Sequence, residues 1–433
     1  MKYYSTKDKS QRVDFRDAVL RGIAPDGGLY IPVQIPRLED SFFDLLPRYS
    51  LQQISFEIIK HYINDISKNN LQSIIEKAIN FKVPLVRLAP NISFLELFHG
   101  PTLAFKDFGA RFLATVLSHY MQNIEKEIII LVATSGDTGS AVANGFYGIE
   151  GIKVFLLYPG GKVSWIQEQQ LTTMDKNIYA FEVNGTFDDC QNIVKSAFLD
   201  RELSQRFYLS SANSINIARL LPQSFYYFYA FAQLEKSSDE IIFSVPSGNF
   251  GNLTAGVIAK KMGLPIDTFI AAVNINDVFL QYLRSGIYNP RNAIKTLSNA
   301  MDVGNPSNFY RIIELYGQDI DFIKSQIQSW SISDTVTIKG IQEVYQKYKY
   351  ILDPHGAVAY QAVREYIKYY SNKAQFVILE TAHPAKFLDI VKDAISVEVK
   401  MPQRLAHALE KEKHSIKMKK EFKSFKSYIL DSF

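Results

Sequence analysis

"EIIFSVPSGNFGNLTAGVIAKK", residues 240–261, decides the fold. A short run of β-branched and aromatic residues ends near Pro246. A loop of small polar residues follows, and a helical segment continues from it. An apolar run without alternation is what a strand buried on both faces of a parallel sheet looks like. "EIIILVA" (127–133), leading into "TSGDTGSAVANGF" (134–146), repeats the design. Further runs are "KVFLLY" (153–158), "TFIAAV" (268–273) and "QFVILE" (375–380). Helical stretches between them imply βαβ crossovers. The expectation is an α/β protein of two open, mainly parallel lobes. The cleft where their strand C-termini meet is the place such sheets bind ligands.

Outside these runs the signals change. "SLQQISFEIIKHYIND" (50–65) and "LQSIIEKAINF" (71–81) carry apolar residues at helical spacing. Before them, Pro25, Gly27, Gly28, Pro32 and Pro36 predict turns and short edge strands. "FYYFYAFAQL" (225–234) reads as a buried helix, too short to span a bilayer. The lysine-rich tail from Lys411 to Lys426, with Phe422 and Phe425 interleaved, fits a solvated amphipathic helix better than a nucleic-acid or membrane contact. The linear reading divides the chain into an N-terminal mixed segment (1–90), a smaller lobe (91–215) and a larger lobe (216–433).

A length of 433 residues calls for more than one core, and a formal charge of +4 argues against a nucleic-acid binder. Cys190 is the only cysteine, so no disulfide within the chain and no cysteine zinc site is expected. No metal-ligand spacing such as H-E-x-x-H occurs. "MKYYSTKDKS" has no apolar signal region, so a cytoplasmic, membrane-free protein is the expectation.

The chemistry concentrates at a lysine and four loops. In "HGPTLAFKDF" (99–108), Lys106 interrupts an apolar frame. Either its stem snorkels to the surface, or it is held in a dry pocket where its amine can attack a carbonyl. Thr134, Ser135, Gly136, Asp137 and Thr138 precede one helix, and Ser247, Gly248, Asn249, Phe250 and Gly251 another. Either loop can be plain capping or a backbone cup for an anion. Neither matches a P-loop or a dinucleotide fingerprint. In "VILETAHPAKF" (377–387), Thr381 either caps a turn or aims a hydroxyl into the cleft. In "SSANSINIARLL" (210–221), Asn213 or Ser214 is a natural N-cap, and Arg219 is either a surface residue or a phosphate fork.

A lysine in an apolar frame, a phosphate cup and a strand-end hydroxyl together answer the aldehyde, phosphate and ring nitrogen of pyridoxal 5′-phosphate. The chain resembles the threonine synthases, fold-type II pyridoxal-phosphate enzymes of the tryptophan-synthase-β superfamily. The matching segments are "FRDAVLRGIAPDGGLYIP" (15–32), "ELFHGPTLAFKDFGARFL" (96–113), "ATSGDTGSAVA" (133–143), "NSINIARL" (213–220), "SVPSGNFGNLTAG" (244–256), "LSNAMDVGNPSN" (297–308) and "TAHPAKF" (381–387). The first and sixth are absent from dehydratases and cysteine synthases and make the resemblance specific. The resemblance covers nearly the whole chain but does not rely on residues 320–350 or the C-terminal tail.

The resemblance implies that Lys106 is the Schiff-base lysine, that Gly248, Asn249, Phe250 and Gly251 hold the cofactor phosphate, and that Thr381 faces the ring nitrogen. It implies substrate-carboxylate binding by Thr134, Ser135, Asp137 and Thr138, and substrate-phosphate binding by Asn213, Asn216 and Arg219. The implied reaction turns O-phospho-L-homoserine and water into L-threonine and phosphate. The implied state is a monomer or homodimer. A dehydratase-like relative or a catalytically silent cofactor binder are the alternatives.

Overall fold

The computed structural model describes residues 1–122, 127–235, 240–370 and 373–433. Among the described residues, fourteen strands form three sheets. A small antiparallel sheet contains β1 (Tyr3–Ser5), β2 (Arg12–Val13) and β3 (Tyr30–Pro32), in the order β2-β1-β3. The largest contains β4 (Leu85–Ala89), β5 (Ile92–Glu96), β10 (Ile241–Pro246), β11 (Thr268–Val273), β12 (Ile327–Ser331) and β13 (Gln375–Glu380). Its order is β12-β11-β10-β13-β5-β4, parallel except for β4. The third contains β6 (Ile128–Ala133), β7 (Ile152–Pro159), β8 (Ile178–Asn184), β9 (Tyr208–Ser211) and β14 (Ile416–Lys419). It is all parallel, in the order β14-β8-β7-β6-β9.

These two larger sheets are the two lobes read from the apolar runs. Every residue of β6 is buried, as is nearly all of β10, β11 and β13. Helices on both faces bury such strands, which is why their sequences do not alternate.

The structure departs from the linear reading in three places. The partition at residues 90 and 215 does not follow the sheets. Strand β5 pairs with β13 in the larger sheet, and β14, from the far end of the chain, pairs with β8 in the smaller one. The tail is accordingly a strand and then a helix, Phe422–Ser432, rather than one solvated helix. Phe425 and Ile429 are buried with Phe155 and Phe181, covering a sheet face that β14 alone leaves bare. Near the N-terminus, Phe15–Arg21 is a helix rather than turns and edge strands. Asp14 caps it by accepting from Asp17 N–H, and Gly22, with φ of 71°, ends it. Among the described residues no helix is long and apolar enough to cross a membrane.

Candidate active site

The strand ends converge through backbone pairing. Beyond Glu380 at the end of β13, Phe105 N–H donates to Thr381 carbonyl at 2.9 Å, and His383 N–H donates to Leu103 carbonyl at 3.0 Å. That short ladder sets the Lys106 turn against Thr381. Lys106 is the first residue of the helix Lys106–Met121. The turn before it is fastened by buried Asp107, which accepts from Thr102 N–H at 2.9 Å and Thr102 Oγ1 at 2.7 Å. Gly100 permits this, since a Cβ there would lie 2.3 Å from Asp107 Oδ2. Burial raises the Asp107 carboxyl to about 6 against the lowering effect of the Thr102 bonds.

The Lys106 amine has no hydrogen bond or ion pair among the described residues. The Lys106 residue is partly buried. Burial draws its pKa from 10.5 down to about 8; Asp137 opposes the shift, and Arg219 and Lys386 add to it. A lowered amine pKa without a competing partner is the condition that the second reading of Lys106 requires.

The cup after β10 is built from backbone. The N–H groups of Gly248, Asn249, Phe250, Gly251 and Asn252 have no acceptor among the described residues. Phe250 takes a left-handed conformation, φ 60°, and its ring is buried against Phe279. A left-handed residue opening a helix is the backbone form of an anion nest. The Asn249 side chain points away from the cup. It binds Ser214 Oγ and accepts from Ser307 N–H, while Asn308 Nδ2 donates to its carbonyl at 3.0 Å. Gly248 lets the cup pass the 297–304 segment, since a Cβ there would lie 2.7 Å from Met301 Cα and 2.8 Å from Ala300 O. Both obstacles are backbone, so Gly248→Ala is expected to weaken cofactor affinity by about tenfold or more, read by absorbance titration of the cofactor-free chain.

Thr381 is buried, and its hydroxyl has no partner among the described residues. A free amine, a run of unpaired N–H donors and a free hydroxyl match the three groups of pyridoxal phosphate, so the residues present fit it.

The remaining residues divide. Ser135 is exposed; it and Thr138 offer N–H groups with no acceptor at the start of the helix Asp137–Phe146. Thr134 spends its hydroxyl inside the loop, accepting from Gly136 N–H at 3.0 Å and Gly139 N–H at 2.9 Å. Asp137 is buried in an ion pair with Lys386 at 2.7 Å and accepts from Gln167 Nε2 at 3.0 Å. Burial raises its carboxyl, but Lys386 and Lys106 outweigh this and hold it far below the carboxylate range. Any anion bound here therefore meets backbone, not the Asp137 side chain.

Asn216 departs from its expected role as a ligand. It caps the Arg219 turn by accepting from Ala218 N–H at 3.0 Å. Its amide donates to Val19 carbonyl at 2.9 Å and Ser211 carbonyl at 3.0 Å, leaving no donor to offer. Asn213 Oδ1 and Arg219 Nε, by contrast, are buried without partners. Arg219 Nη1 donates to Ala212 carbonyl. Burial lowers the guanidinium from 12.5 to about 10, with Asp107 opposing.

Sequence reasoning missed the partner of Asp137. Lys386, in "HPAKF", stands in the same kind of apolar frame that marked Lys106. Arg311 and the pair His355–Asp353 were missed as well. His355 donates from Nδ1 to Asp353 and accepts Ala300 N–H at Nε2, 3.2 Å, bracing the segment that touches Gly248.

Comparison with known proteins agrees with this geometry. Residues 2–79 match the family "Threonine synthase N terminus", residues 82–381 "Pyridoxal-phosphate dependent enzyme", and residues 356–429 "Threonine synthase, C-terminal". A threonine synthase of Buchnera aphidicola subsp. Acyrthosiphon pisum is 40% identical over all of both chains. The crystal structure of threonine synthase from Escherichia coli superposes with a TM-score of 0.94 at 39% identity, covering 100% of each chain. That of PLP-bound threonine synthase from Brucella melitensis gives 0.93 at 36% identity, covering 99% of this chain and 98% of its own. The fold is fold-type II and the cofactor is pyridoxal phosphate. From its N-terminal segment through its catalytic lobes to its C-terminal region, the chain belongs to the threonine synthase family.

Proposed function

We propose that the substrate is O-phospho-L-homoserine, converted with water to L-threonine and phosphate, and that the residues above divide the work as follows. The supporting observation is a buried guanidinium near the cofactor cup, suited to a second anion. Arg219 brings a guanidinium with a buried, unpartnered Nε to the segment whose Ser214 holds Asn249 of the cup. A dehydratase-like reaction needs one phosphate site; a phosphorylated substrate needs two.

Bound pyridoxal phosphate supplies an electron sink for charge developing at the substrate's Cα. The N–H groups of 248–252 would hold its phosphate, Thr381 would meet its ring nitrogen, and Lys106 Nζ would hold its aldehyde carbon. Ser135, Asp137 and Thr138 N–H groups take the substrate carboxylate. Lys106 Nζ would remove the substrate's Cα proton and move protons in the later steps; an amine titrating near 8 suits both directions. Asn213 and Arg219 hold the phosphate that leaves from Cγ before water adds at Cβ.

The test is release of phosphate and threonine from O-phospho-L-homoserine. Equal amounts, dependent on pyridoxal phosphate, are expected. Cofactor attachment without release overturns the substrate. Arg219→Ala is expected to raise KM about 10- to 100-fold with a smaller change in kcat, the loss of charge-assisted hydrogen bonds. An unchanged KM places the substrate phosphate elsewhere.

A further inference from the structure

We infer that Lys386 is a positioning residue for Lys106: its buried ion pair with Asp137 keeps that carboxylate from capturing the Lys106 amine. This rests on the reading of Lys106 as the cofactor lysine.

The geometry is a bridge between lobes. Asp137 opens a helix that follows β6 of the smaller sheet; Lys386 lies just beyond β13 of the larger one. The pair is 2.7 Å apart, with side chains 0% and 4% exposed. Lys386 Nζ also donates to Thr102 carbonyl at 3.0 Å, and Thr102 binds Asp107, the residue after Lys106. One ammonium thus ties the Asp137 loop to the turn that presents the catalytic lysine. Asp137 is steadied on its other side by Gln167, which accepts from Asn299 Nδ2 at 3.3 Å.

A buried ion pair is a weak stabiliser compared with apolar side chains of the same volume, so stability alone does not account for it. Its place beside Lys106 does. The charged groups acting on Lys106 are Asp137 from the helix Asp137–Phe146, Arg219 from the helix Ile217–Leu220 and Lys386 from the turn Pro384–Phe387. Asp107 on its own helix is turned into the Thr102 turn. Asp137 alone among the three favours the charged, non-nucleophilic form of Lys106. Without Lys386, the one other ammonium among the described residues whose charge acts on Asp137 is that of Lys106.

The test follows attachment of pyridoxal phosphate to the cofactor-free full chain. Lys106 Nζ adds to the aldehyde carbon, the carbonyl oxygen leaves as water, and absorbance reports the product. The rate is measured against pH for wild type, Lys386→Met and the double variant Asp137→Asn/Lys386→Met. Wild type is expected to reach half its plateau near pH 8. In Lys386→Met the midpoint rises by at least about one unit, making attachment near neutrality about tenfold slower with the high-pH plateau kept. The double variant, lacking the competing carboxylate, returns to the wild-type midpoint or below. A purely structural role for Lys386 predicts no such return. An unmoved midpoint in Lys386→Met, or a double variant displaced as far as the single, overturns the inference. If Lys386→Met does not fold, the double variant decides alone, and a midpoint above wild type overturns it. Attachment that survives in Lys106→Ala condemns the choice of Lys106 instead.

Discussion

Lys106→Ala is expected to lower kcat by at least about 10⁴-fold, because in the proposed mechanism one deletion removes both the amine that holds the cofactor aldehyde and the base for the Cα proton. The fold should survive. The Lys106 amine makes no hydrogen bond or ion pair among the described residues, and alanine favours a helix start as well as lysine does. A second consequence separates a buried amine from a surface one. The folded pKa of Lys106 is depressed from 10.5 to about 8, so between these values the unfolded chain binds more protons than the folded one. Stability of the cofactor-free wild type therefore rises with pH across that window, since below it folding must bury a charge. Lys106→Ala should lose this rise. Urea midpoints for both proteins between pH 7 and 10 check it. Parallel pH profiles, or a variant retaining more than about a tenth of wild-type kcat, return Lys106 to the surface reading.

The parts of the site that were legible in sequence are those whose chemistry is local. Gly248 is a glycine because its backbone must pass close to a neighbouring segment, and Gly251 opens the helix of the same loop. The residues around them carry that signal within a single loop. The continuous apolar runs of β6, β10, β11 and β13 report burial on both faces by themselves. What stayed hidden depends on partners distant in the chain. Asn216 looked like a ligand because caps and ligands use the same amide, and only the fold shows Val19 and Ser211 taking its donors. Asp137 looked like part of an anion loop, and its pairing with Lys386 appears only when the lobes meet. Strand β14 was unreadable because its four residues take their place from the uncovered edge of β8, not from their own pattern.

Arg311→Met is expected to destabilise the chain by roughly 2–6 kcal/mol and to weaken cofactor binding as well. Arg311 is fully buried. Its Nε and Nη2 donate to Tyr30 carbonyl at 3.0 and 2.8 Å, Nη2 also to Ile215 carbonyl at 2.7 Å, and Nη1 to Asn308 Oδ1 at 2.8 Å. No carboxylate is among these partners, and burial pulls the guanidinium from 12.5 down to about 9. Two effects oppose each other in the variant. Methionine relieves a buried charge, which favours it. It also strands the Tyr30 and Ile215 carbonyls, at about 1–3 kcal/mol for each buried acceptor, and removes charge-assisted bonds that a thioether cannot replace. The second effect dominates because the arginine joins separate segments rather than serving one partner. Tyr30 belongs to "GGLYIP", Ile215 to "NSINIAR" and Asn308 to "GNPSN", so one side chain fastens three of the segments that carry the family resemblance. The last of these reaches the cup proposed for the cofactor phosphate, since Asn308 donates to Asn249 carbonyl there. Arg311→Lys should recover little, because an ammonium cannot supply the planar fork that reaches Tyr30, Ile215 and Asn308 together. Urea unfolding and cofactor titration of both variants check this. A methionine variant as stable as wild type means the three segments are held by their apolar contacts alone. A destabilised variant with unchanged cofactor affinity would show that the cup is set by Ser214 and Ser307 without help from Asn308.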